Sequence, residues 1–112
     1  MKKFMLFLIQ DIEEVDNMTP EELQKDIEDH TRWVEELAKK GQYKSGEPLL
    51  SDSRMVNASQ IQSDGPYIES KEAISGYFII LADDIEAASK IAQTCPAVVA
   101  GSKMLVRPVH EL

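Results

Sequence analysis

At 112 residues, 43% hydrophobic and 29% charged, the chain has the size and composition of one folded domain with a core of its own, which sets aside disorder. A net charge of −8 argues against nucleic acid, whose phosphates call for clustered Lys and Arg, and against an anionic membrane surface. The single cysteine, Cys95, leaves no internal disulfide to form and is compatible with a reducing cytoplasm.

Lys2-Lys3 ahead of the apolar residues 4–9 imitates a secretory leader. The run is shorter than a leader's apolar stretch and far too short to span a bilayer, and acidic residues stand where a cleavage site belongs. It reads as a buried strand. Thr19, Pro20 and Glu22 then spell a helix start, with Thr19 as N-cap and Glu22 closing a capping box. Leu23, Ile27, His30, Val34 and Leu37 fall on one face of that helix, which ends at Lys39-Lys40-Gly41.

Residues 43–50, interrupted by Gly46 and Pro48, suit an irregular edge strand, and residues 54–59 suit a second strand after a Ser51-Asp52-Ser53 turn. Residues 76–81 are aromatic and β-branched, as in a strong strand. Asp83 or Asp84 caps a second helix with Ile85, Ala88, Ile91 and Ala92 inward, stopped by Pro96, and residues 103–109 form the last strand. No repeat or linker interrupts the chain, so residues 1–112 are expected to form a single domain. This order fits an α+β, ferredoxin-like split βαβ with an extra central hairpin, a mainly antiparallel sheet carrying two helices on one face. The other face then needs cover, and a second copy across a two-fold axis supplies it, so a homodimer is expected.

The most distinctive stretch is residues 63–77, opening on Asp64-Gly65-Pro66-Tyr67. Gly65 can take positive φ, Pro66 fixes its own φ, and Asp64 can brace the turn through backbone N–H groups. With Glu69, Ser70, Lys71-Glu72 and Gly76-Tyr77 following, the stretch resembles the signature of the YCII-related (DGPF-type) family, with Tyr67 at the usual Phe. Trp33, Leu37, Gly41, Gly46, Leu49, Pro96, Gly101 and Arg107-Pro108-Val109 carry the resemblance along nearly the whole chain. Leu105 departs from it, since many members have an acidic residue there. The resemblance implies a dimeric ferredoxin-like fold. Activity is left open: one branch includes a dehydrochlorinase acting on a chlorinated hydroxyquinol, and related domains accompany extracytoplasmic-function sigma factors.

The same resemblance makes His30, eleven residues before Gly41, a proposed catalytic base. The aspartate that smaller members pair with it late in the helix is missing from Ala38-Lys39-Lys40, so Asp64 is the substitute if the turn folds back. On physical grounds His30 is either a proton-transfer group near neutral pH or a packed, hydrogen-bonded core histidine. Arg107 is either an anion clamp or the partner of an internal acid, with Arg54 a weaker version. Glu69, Lys71 and Glu72 either line a polar pocket or form a solvated hairpin, and Tyr67 and Tyr77 suit core or interface positions. Cys95, read as lying at a helix C-terminus, is in the wrong setting for a thiolate nucleophile, and His110 reads as surface. No metal-ligand spacing and no cofactor motif is present, so neither a metal nor a cofactor is expected. Two functions follow as expectations: binding or transforming a small polar or aromatic metabolite in a cleft near His30 and the Asp64–Tyr67 turn, or a non-catalytic accessory or regulatory dimer contacting another protein.

Overall fold

A computed structural model describes residues 1–63 and 72–112. Strand β1 (Lys2–Asp11) is followed by a short helix α1 (Ile12–Asp16), capped by the Asp11 carboxylate, and by the long helix α2 (Pro20–Lys39). The chain continues through β2 (Tyr43–Pro48), a small hairpin of β3 (Met55–Val56) and β4 (Ile61–Gln62), and the central strand β5 (Glu72–Ala82). Helix α3 (Ile85–Gln93), a single turn α4 (Pro96–Val99) and β6 (Lys103–Pro108) complete it. The four long strands lie in the order β2-β5-β1-β6, every neighbour antiparallel. That is the split βαβ order of an α+β ferredoxin-like fold, with β3 and β4 added between its second and third strands.

Strict alternation divides the sheet into two unlike faces. Phe4, Leu6 and Leu8 of β1 and Ile80 and Ala82 of β5 are buried under Trp33 and Leu37 of α2 and Ala88 and Ala92 of α3. Met5, Phe7 and Ile9 point the other way, in register with Ile79, Tyr77 and Ile74 of β5, and stay partly exposed. One irregularity breaks the alternation: Leu8 faces Gly76 and Ile9 faces Ile74, leaving Ser75 as a bulge in the middle of the sheet. Gly46 of β2 is bare for a reason: a Cβ there would lie 2.7 Å from the Phe78 ring and 2.8 Å from the Tyr77 carbonyl oxygen.

The helix start is as the sequence spells it. Thr19 Oγ1 accepts from Glu22 N at 3.1 Å and Glu22 Oε1 accepts from Thr19 N at 2.9 Å. Gly41 closes the same helix at φ 70°. The inner face of α2 differs from the expected stripe. Trp33 and Leu37 are its buried residues, whereas Leu23 and Ile27 are about half exposed, because the first turns of α2 run past the sheet that covers its later ones. Hairpin placement differs too. The expected strand over residues 54–59 shortens to Met55–Val56 and pairs forward with Ile61–Gln62, not back across residues 51–53. Asn57 sets this turn: its N–H donates to Gln60 O and its side chain accepts from Ser59 N, both at 3.0 Å.

Candidate functional site

His30 sits on α2 where the helix crosses the sheet. Its ring lies parallel to that of Phe78, with 6.4 Å between centroids, and Trp33 meets the same Phe78 edge-on at 5.0 Å. Trp33 Nε1 donates to Thr94 Oγ1 at 2.8 Å, which fixes the end of α3 against α2. The next residue is Cys95, and this tie brings its Sγ to 3.6 Å from His30 Nε2. His30 Nδ1 is 2.9 Å from the Asp26 carbonyl oxygen and 3.4 Å from its carboxylate. Both ring nitrogens are therefore held by the protein.

The hydrogen bond to Cys95 does most to raise the His30 pKa, from 6.5 to about 9; burial opposes it, and the Asp26 carbonyl adds to the rise. A pKa raised this far favours the imidazolium form near neutral pH, which can donate from both ring nitrogens. Such a group gives up a proton in chemistry near pH 7 more readily than it takes one.

Cys95 corrects one expectation. Helix α3 ends at Gln93 with Thr94 as its cap, and Pro96 opens the next helix instead of merely stopping the last. Cys95, extended at φ −60° and ψ 131°, is the N-cap of α4, and its side chain is fully buried. A proline at the first position of a helix is a start signal as well as a stop signal, and it was there to be read.

At the other end of α4 the surface opens into a concavity of about 530 Å³ between the end of β1, the start of β5 and the segment entering β6. Gln10, Asp11, Glu72, Ser102 and Lys103 line it. Lys103 Nζ donates to Glu72 Oε1 at 3.0 Å across its mouth. Deeper in, the Ser75 bulge turns its hydroxyl to donate to Gln10 Oε1 at 2.6 Å, and Gln10 Nε2 donates to Ser102 Oγ at 3.3 Å. A helix rises 1.5 Å per residue, so α4 sets Cys95 and the Ala100-Gly101 wall about 8 Å apart along its axis. The imidazole–thiol pair and the polar concavity are thus mounted on the two ends of one helical turn.

The remaining sequence-derived residues are placed as follows. Asp64, Tyr67, Glu69 and Lys71 lie outside the described residues, and with them the Asp64–Tyr67 turn. Glu72 follows that segment directly and forms the ion pair just described. Arg107 is in register with Met5, on the sheet face opposite His30, so the two do not share a cleft. Arg54 bridges Asp52 at 2.5 Å in the hairpin. Tyr77 donates to Glu47 Oε1 at 2.6 Å, and this carboxylate raises the Tyr77 pKa above 10. His110 is exposed. Among the described residues no group of three or more His, Cys, Asp or Glu could hold a metal ion, and no helix is long and apolar enough to cross a membrane.

These features define a ferredoxin-like α+β domain with an imidazole–thiol pair beneath its helices and a polar hollow at one end of its sheet. Residues 3–111 match the sequence profile of the YCII-related domain, and the chain belongs to that family. No curated protein matches it.

Proposed function

We propose that the protein binds a small polar metabolite in the concavity beside Glu72 and Lys103, with the His30–Cys95 pair a separate proton-transfer group at the far end of α4. The observation that carries this reading is the concavity itself, with the Glu72–Lys103 ion pair in its lining; the His30 ring, held at both nitrogens and with its pKa raised to about 9, stands apart from it. The volume of about 530 Å³ suits a metabolite, and the lining of one ammonium, three carboxylates (Asp11, Glu14 and Glu72), an amide and a hydroxyl suits a polar one. His30, its Nε2 held by the Cys95 sulfur, is the acid available on the helix side of the sheet. Among the described residues no aromatic side chain lines the hollow, which favours a polar over an aromatic ligand.

The partly exposed face of Met5, Phe7, Ile79 and Leu105 supports a homodimer paired through the sheet. A single domain spanning residues 1–112, working in the cytoplasm with Cys95 as a free thiol, completes the reading.

The test is a metabolite screen by melting temperature and by amide chemical shifts, on the parent and on Lys103→Ala. Polar metabolites should move the amides of Gln10, Ser102 and Lys103 in the parent and not in the variant. A screen in which no compound perturbs these amides would remove the binding reading and leave the accessory dimer standing.

A further inference from the structure

The hairpin of β3 and β4 is short and exposed. Among the described residues neither strand packs against any other helix or strand, and a two-stranded hairpin alone in water is marginal at best. Yet apolar side chains on it and on the segment leading into it are open to solvent: Leu50 is 92% exposed, Ile61 71%, Val56 63% and Met55 55%. The radius of gyration, 15.1 Å, exceeds the roughly 13 Å of a compact chain of this length, as a projecting element requires.

We infer that this hairpin is an arm that docks on the open sheet face of a second copy of the chain, beside Leu105. The inference rests on the two-fold pairing proposed above and says what that pairing is built from. Three observations choose a second copy over another partner. First, the same chain carries a partly exposed apolar sheet face, with Leu105 48% exposed, and among the described residues β3 and β4 do not touch it within their own subunit. A two-fold exchange covers both surfaces of both copies at once, and it closes. Second, residues 48–63 contain one acid and one base, Asp52 and Arg54, which neutralise each other, so the charge of −8 lies wholly elsewhere. The arm is the part of an acidic protein that can approach its twin without repulsion. Third, the four exposed side chains offer roughly 500 Å² per arm, and two arms with the surfaces they cover would remove roughly 2,000 Å², the span of a stable interface.

The arm variant Met55→Ser, Val56→Ser, Ile61→Ser changes exposed residues that, among the described residues, no other helix or strand packs against. The expected result by sedimentation equilibrium is a parent dimer whose dissociation constant rises at least roughly 100-fold in the variant, with the melting temperature of the dilute monomer unchanged. A variant that dimerises as tightly as the parent overturns the arm and leaves the sheet pairing intact. A parent that stays monomeric overturns both.

A second measurement needs no disruptive variant. A nitroxide on Ala58→Cys, mixed with ¹⁵N-labelled parent, should broaden the amides of Leu105 and Arg107 in the labelled copy. Broadening elsewhere, or none, overturns the docking surface.

Discussion

Replacing Cys95 by alanine tests the coupling between α2 and the α3–α4 corner. The substitution removes the hydrogen bond that does most to raise the His30 pKa and keeps the burial that opposes it. In the parent, His30 should titrate near 9; in Cys95→Ala it should fall toward the ordinary 6.5, burial pulling it down and Asp26 still holding it up. The shift also carries stability. A histidine whose folded pKa exceeds its unfolded one stabilises fully below the unfolded value, here about 6.5, and that contribution is lost as pH rises through about 9. At 1.36 kcal/mol per pH unit the full interval is worth about 3 kcal/mol, and screening at the partly exposed ring reduces it to the order of 1–2 kcal/mol. Urea unfolding of the parent should therefore lose about that much between pH 6.5 and pH 9, and Cys95→Ala should lose much less. Long-range ¹H–¹⁵N spectra of the imidazole report the titration directly. A parent His30 that titrates at or below 6.5, or at the same pH in both proteins, refutes the assignment of the Cys95 hydrogen bond as the cause.

Thr19→Ala opens the capping box of α2 and should cost about 1 kcal/mol in urea unfolding, with no change in the slope against denaturant. Gly46→Ala drives a methyl group to 2.7 Å from the Phe78 ring, so a loss of about 1–3 kcal/mol is expected, together with shifted ring resonances of Phe78 and Trp33. Trp33→Phe deletes the indole N–H that donates to Thr94 and leaves that hydroxyl its bond to Ile91 O; melting should register about 1–3 kcal/mol of destabilisation, and the His30 pKa should fall as Cys95 loosens.

Local chemistry was legible from sequence and long-range pairing was not. Thr19, Pro20 and Glu22 act on backbone groups within one helical turn, so their roles follow from spacing alone. Residues 4–9 and 76–81 are apolar enough to identify themselves as the central strands, and the order of elements then implies the sheet. The extent of α2's buried face was not legible, because nothing in Leu23 or Ile27 tells where the sheet beneath them stops. His30 was found from its position, but its partner lies 65 residues away, and Cys95 was judged by the helix before it when it belongs to the one after. Arg107 was readable in part: in residues 103–108 the side chains of Met104 and Val106 pack on the core and those of Leu105 and Arg107 alternate away from it.

The place of β1 in the sheet has a consequence for biosynthesis. It leaves the ribosome before the other strands of its sheet, yet both its neighbours, β5 and β6, come from the far half of the sequence. At ordinary elongation rates its apolar run waits roughly 4–14 s for the first of them, a stretch of time in which an unpaired hydrophobic strand invites aggregation. The acidic residues that follow at once, Asp11, Glu13, Glu14 and Asp16, sit where gatekeeper charges guard such a strand. In the finished protein they cap and cover a five-residue helix; in the nascent one they keep the first strand from meeting a copy of itself before the rest of the sheet exists.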